Sequence, residues 1–147
     1  MDEILIFEHS IECRVSIAFA WAFWTNVSNW ALDADVDAVE LHGPFAPGTH
    51  GLTQSKSLGQ IEWRIAEVQP GKAILEFPAP GVLATFIWLF EDIDQRTRIT
   101  QRATFSGEQS AIYAESIGPS LKAGAPAGMR KLCETMEAAA YPLGNVT

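Results

Sequence analysis

An α+β fold is predicted, with a curved seven-stranded antiparallel sheet wrapped around a long C-terminal helix and two short helices between strands one and two. Three observations predict it. Most segments before residue 107 alternate apolar and polar residues, the period of a half-buried strand. Between Gly107 and Tyr141 the period changes: Met129, Leu132, Cys133, Met136 and Ala140 recur three or four apart, the stripe of an amphipathic helix. The links between the alternating segments are too short for parallel crossovers, so the strands run antiparallel. A length of 147 residues gives one domain, 1–147, with a core large enough to need neither metal nor disulfide.

In residues 3–13, Leu5, Phe7, His9, Ile11 and Cys13 share one face, opposite Glu8, Ser10 and Glu12. Residues 15–31 switch to helix, with Ile17, Trp21 and Trp24 spaced four and three apart and Ser16 placed to cap. Asn26 and Ser28 favour a break, leaving a second short helix at about 28–32 that carries Trp30. Strands follow at 36–42 and 49–58, separated by the Gly43–Gly48 loop. The next strand, 60–69, groups Ile61, Trp63 and Ile65 against Glu62 and Arg64. Pro70-Gly71-Lys72 is a turn, Ala73–Phe77 a short strand and Pro78–Gly81 a loop. Residues 82–92 form the most apolar strand; either Phe86, Trp88 and Phe90 or Ile87 and Leu89 face the core. After a turn at 93–96, the last strand points Ile99, Gln101, Ala103 and Phe105 inward and Arg98, Thr100, Arg102 and Thr104 to solvent.

Pro119 and Pro126 interrupt the C-terminal segment. The expectation is one helix bent at both; the alternative is a short helix at about 109–117 before the main one. Ser120, Ala123, Gly124, Ala125, Ala127 and Gly128 are small, which leaves room beneath the helix.

Composition narrows function. A net charge of −8 with scattered basic residues excludes a nucleic-acid partner and repels anionic lipid surfaces. No apolar run is long enough for membrane insertion. The first residues, MDEILIFEHS, lack the basic region of a secretory signal. Cys13 and Cys133 show neither metal nor redox spacing, so free thiols and a cytoplasmic location are expected. The helical Cys133 reads as inert core. His9, His42 and His50 make a metal triad only on paper, so no metal or other cofactor is expected. Asp33, Asp35 and Asp37 read as a solvated acidic edge. Trp21, Trp24 and Trp30 crowd within ten positions, which points to an aromatic-walled cavity or an interface.

The order of elements resembles the START/Bet v 1-like (SRPBCC) superfamily, the polyketide cyclase/dehydrase and lipid transport group with a helix-grip fold. Ala22-Phe23-Trp24-Thr25-Asn26-Val27-Ser28-Asn29-Trp30 resembles its VWxxLTDVxxW segment. Trp63–Val68 with Pro70-Gly71 resembles its fourth strand and turn, and Thr97-Arg98-Ile99-Thr100 a later strand start. Gly107 and the tail through Met129–Glu134 resemble its closing helix. Val15 stands where the family usually has proline, and Asn26 where it has an acid.

The resemblance implies a hydrophobic small-molecule or lipid ligand between sheet and helix. Strand parity and position then nominate His9, Trp21, Trp24, Trp63, Phe86, Trp88, Gln101, Tyr113 and Met129 as ligand-binding, with Tyr113 at the cavity mouth. An aromatase/cyclase- or dehydratase-type enzyme is the alternative, with His9, Gln101, Tyr113 and Arg64 as candidate catalytic groups. Arg64 falls on the outer face by alternation, and a surface bridge from Glu62 to Arg98 or Arg102 is expected there. A partner-binding regulatory protein using the acidic surface is the third reading. Phe45 and Phe77 are expected as lid or dimer contacts in a monomer or homodimer. A cavity lined only by apolar groups favours carriage; His9 or Gln101 paired with an ionisable group favours catalysis.

Overall fold

The computed structural model describes residues 3–32, 36–56 and 59–141. Its strands are β1 (Ile4–Cys13), β2 (Val36–Leu41), β3 (His50–Ser55), β4 (Gly59–Gln69), β5 (Lys72–Ala79), β6 (Val82–Ile93) and β7 (Arg96–Ser106). Its helices are α1 (Ile17–Thr25), a 3-10 turn at Val27–Leu32, α2 (Ser110–Ser116) and α3 (Gly118–Ala140). The strands form one antiparallel sheet in the order β1-β7-β6-β5-β4-β3-β2. Strands β2 to β7 are a meander, and β1 pairs with β7 at its far edge. Consecutive strands β1 and β2 therefore sit on opposite edges, and α1 with the 3-10 turn spans between them. The sheet curls around the C-terminal helix in a helix-grip arrangement.

Local chemistry sets the boundaries. The Ser16 hydroxyl accepts from the Phe19 N–H at 3.2 Å and caps α1. The Asn26 side chain accepts from the Ser28 N–H and hydroxyl at 3.3 and 2.7 Å, stopping α1 and starting the 3-10 turn. Asp94 and Gln95 both have positive φ, 51° and 71°, as a two-residue hairpin matched to strand twist requires. The Asp92 carboxylate supports that turn by accepting from the Gln95 N–H at 3.0 Å.

Several expectations are corrected. A bulge between Leu5 and Phe7 shifts the register, so Leu5 leaves the core face and is 54 % exposed while Ile6 is buried. The C-terminal segment does not bend as one helix at both prolines. It breaks at Ile117 into α2 and α3, and Pro119 lies in the first turn of α3, where no intrahelical donor is needed. Only Pro126 is internal to α3. Cys13 and Cys133 are not free thiols; they are joined as a disulfide linking β1 to α3. Their Cα atoms lie 5.4 Å apart across 120 residues of sequence, a proximity that spacing along the chain does not reveal. Strand β3 is shorter than 49–58, with residues 57–58 outside those described, and β5 runs on through Ala79. Asp33 and Asp35 also lie outside the described residues, while Asp37 pairs with Lys56 at 3.7 Å.

The main core gathers Val15, Trp24, Trp63, Ile65, Leu75, Phe90, Ile99, Met129 and Met136 under α1 and the second half of α3. A second cluster, with Ile6, Phe7, Val82, Ala103 and Phe105, is covered by Tyr113, Ile117 and Leu121 of the α2–α3 corner. Trp63 lies over Gly51, its cross-strand partner, and a Cβ at Gly51 would clash with the indole ring. The buried Thr97 hydroxyl donates to the Val15 carbonyl at 2.9 Å, tying β7 to the β1–α1 corner. No helix among the described residues is long and apolar enough to cross a membrane.

Two substitutions test this packing. Gly51→Ala overpacks against Trp63 and is expected to destabilise by about 1–3 kcal/mol, read as a lower urea midpoint at unchanged m-value. Thr97→Val leaves the Val15 carbonyl without its donor and is expected to cost about 1–3 kcal/mol in the same measurement. Wild-type midpoints in either variant would contradict the packing described.

Candidate functional site: a cavity between sheet and helix

The sheet contributes large aromatic side chains, while the helix stretch from Ser120 to Gly128 carries several small ones, and space is left between them. A cavity of about 740 Å³ lies between them. Its sheet side is Phe7, Leu75, Phe77, Phe86, Trp88 and Gln101, and Trp24 and Trp30 close one end. Its helix side is Ile117, Ser120, Leu121, Gly124, Ala125, Gly128, Met129 and Leu132. Ser120, Gly124, Gly128 and Lys131 line it yet are solvent-exposed, and Asn29, Trp30 and Val36 face it from the other side. The mouth therefore runs along one edge of α3, opposite the 3-10 turn and the start of β2. A Cβ at Gly124 or Gly128 would meet nothing within 4 Å.

Trp24 organises the aromatic end. It is 3 % exposed, and its ring centroid lies 5.1 Å from Trp88, 5.3 Å from Trp30, 5.4 Å from Phe90, 5.5 Å from Phe45 and 5.8 Å from Trp21. Polar handles hold these rings in place. The Trp30 indole N–H donates to the Trp24 carbonyl at 2.6 Å, and the Trp63 N–H to the Thr53 hydroxyl at 3.0 Å. Such pairs fix ring orientation as well as burying area.

The nominated residues separate into three groups. Trp24, Phe86, Trp88, Gln101 and Met129 line the cavity. Trp21 and Trp63 stand behind the wall, Trp21 against Trp24 and Phe90, Trp63 against Trp30 and Phe77. His9, Tyr113 and Arg64 do not line it. His9 is the cross-strand partner of Gln101 and shares its face of the sheet, but it does not reach the cavity. Tyr113 packs into the second cluster at the α2–α3 corner. Arg64 pairs with Glu76 through Nε at 2.7 Å on the outer face. The β4 bulge follows Ile65 and so leaves its phase unchanged. The expected Glu62 bridge is replaced: Arg98 pairs with Glu12 and Arg102 with Glu8, their cross-strand neighbours. Four strands separate the strands of His9 and His50, and no group of three or more metal-ligating side chains forms among the described residues.

The ambiguous strand is resolved. Phe86 and Trp88 face the cavity and Phe90 the core, while Ile87 and Leu89 join Thr100, Arg102 and Thr104 around a shallow depression on the outer face. Phe45 and Phe77 are both half-buried. Phe45 packs edge-on against Trp24 and Trp30, and Phe77 lines the cavity beside Phe86. Sequence reading missed Leu75, Phe77, Asn29 and Lys131 as lining residues. For Phe77 the misleading signal was Pro78, which continues β5 instead of ending it. Among the described residues, Gln101 makes no side-chain hydrogen bond and no ionisable side chain other than Lys131 lines the cavity.

Solved structures share this architecture. The Zhui aromatase/cyclase from Streptomyces sp. R1128 superposes with a TM-score of 0.80 at 14 % identity, over 99 % of this chain and 100 % of that one. Norcoclaurine synthase from Thalictrum flavum superposes with a TM-score of 0.71 at 11 % identity, over 91 % of this chain and 86 % of its own. At such identities the likeness is one of fold. No curated protein matches in sequence. The family profile described as polyketide cyclase/dehydrase and lipid transport matches residues 5–140. With that match over most of its length, the chain is a member of the polyketide cyclase/dehydrase and lipid transport family.

Proposed function

We propose that residues 1–147 form a single domain that binds a hydrophobic small molecule or lipid in the cavity between sheet and helix. One observation carries this reading: about 740 Å³ of space lined by six aromatic rings, Phe7, Trp24, Trp30, Phe77, Phe86 and Trp88, with Gln101 the sole polar non-aromatic side chain that the sheet contributes among the described residues. Cavities that take small molecules are mostly apolar with a few convergent polar groups. Gln101 has both a donor and an acceptor to offer a ligand. Among the described residues no ionisable side chain but Lys131 at the rim lines the cavity, and this favours binding over the cyclase- or dehydratase-type reading. The aromatase/cyclase and norcoclaurine synthase likenesses are likenesses of fold. They do not supply the catalytic groups.

Gly124→Leu tests it. The side chain enters open space at the cavity and replaces a mid-helix glycine, a change that favours helix by about 0.5–1 kcal/mol. Stability is expected to hold or rise. Binding of a naphthalene-type probe, with a wild-type Kd on the order of micromolar read by quenching of tryptophan fluorescence, is expected to fall at least tenfold. Undiminished binding in a folded Gly124→Leu protein would place the probe elsewhere and remove the support for this cavity as the site.

A further inference from the structure

The cations of this chain are distributed unevenly. Arg14, Lys56, Arg64, Lys72, Arg96, Arg98 and Arg102 each pair with a carboxylate. Lys122, Arg130 and Lys131 have no ion-pair partner among the described residues, and all three lie on α3. In a protein of net charge −8, where carboxylates outnumber bases, an unpaired base needs a reason. For Lys122 and Arg130 solvent is reason enough, since both are exposed and neither borders the cavity. Lys131 is different. It is the one charged side chain in the cavity wall among the described residues, and it sits at the mouth with Ser120, Gly124 and Gly128. Its aliphatic stem can follow the apolar wall while the ammonium stays at the rim.

We propose that the ligand is a monoanionic amphiphile. Its apolar body lies among Trp24, Phe77, Phe86 and Trp88, and its carboxylate or equivalent anionic group is held at the mouth by Lys131. This rests on the ligand-binding reading above and narrows it to one chemical class. Among the described residues the inner cavity offers no cation, so the charge remains at the rim and the body enters first. An apolar environment penalises a buried unpaired carboxylate heavily, which fixes that orientation. Gln101, on the sheet side, is then left for an uncharged polar atom on the body.

The test compares 2-naphthylacetate with its neutral counterpart 2-naphthaleneethanol, each titrated by tryptophan quenching at low and high salt. Wild type is expected to prefer the anion by about three- to tenfold, the range for a partly exposed charge-assisted contact, and to lose most of that preference at about 0.5 M salt. Lys131→Met is expected to abolish the preference while retaining the alcohol, and Lys131→Glu to reverse it. Arg130→Met, one residue away but off the cavity, is expected to keep the wild-type preference. If both probes bind wild type equally, or the preference survives in Lys131→Met, the anionic class is wrong while the cavity reading stands. If neither probe binds, both fail. Lys131 is exposed, and circular dichroism of each variant establishes that the fold is intact.

Discussion

Trp24 is the side chain on which the architecture converges. It leaves α1 near its last turn and touches rings from α1, the 3-10 turn, the Gly43–Gly48 loop and β6. These contacts seat α1 and the 3-10 turn, which make no ladder with the sheet, against β6. The Trp30 N–H bond to the Trp24 carbonyl joins the two short helices end to end. Remove this cluster and the connector between the two sheet edges loses its seat, and with it one end wall of the cavity.

The cavity follows from a mismatch in residue size. Sheets present dense rows of side chains, here rich in Trp and Phe, while α3 answers with Gly, Ala and Ser over the stretch from Ser120 to Gly128. Past Gly128 the helix regains bulk at Met129, Cys133 and Met136, which are buried in the core. One helix thus does two jobs along its length. Its second half packs, joined to β1 by the Cys13–Cys133 bond, while its first half packs through Leu121 and Ala125 and borders the cavity through Ser120, Gly124 and Gly128.

Much of this was legible in the sequence. Strand periodicity and the helical stripe after residue 126 placed every sheet element and the closing helix, because both depend on local alternation. The small-residue run announced the space beneath α3. What failed depended on facts that alternation does not encode. A single extra residue at Ile6 turned Leu5 outward. The pairing of Cys13 with Cys133 and the neighbours of Arg64 depend on which strands adjoin. The phase of β6 stayed open because both of its faces are apolar, and only the sheet's neighbours decide between them. His9 shows the limit of parity: it lies on the inner face opposite Gln101, and yet a residue on the right face need not reach the space enclosed there.

The placement of β1 beside β7 bears on how the chain reaches this state. Strands β2 to β7 join neighbours through short hairpins and can zip in sequence order. The β1–β7 ladder pairs Ile4 with Phe105 and Cys13 with Thr97, so it must close a loop of most of the chain before its contacts repay the lost entropy. Such non-local pairing slows two-state folding to milliseconds or longer. It also makes the amino-terminal strand the natural last arrival. Until it docks, β7 presents an unpaired edge and the seat for the second half of α3 is incomplete, which makes that interval the one in which the nascent domain is most exposed to pairing with another chain.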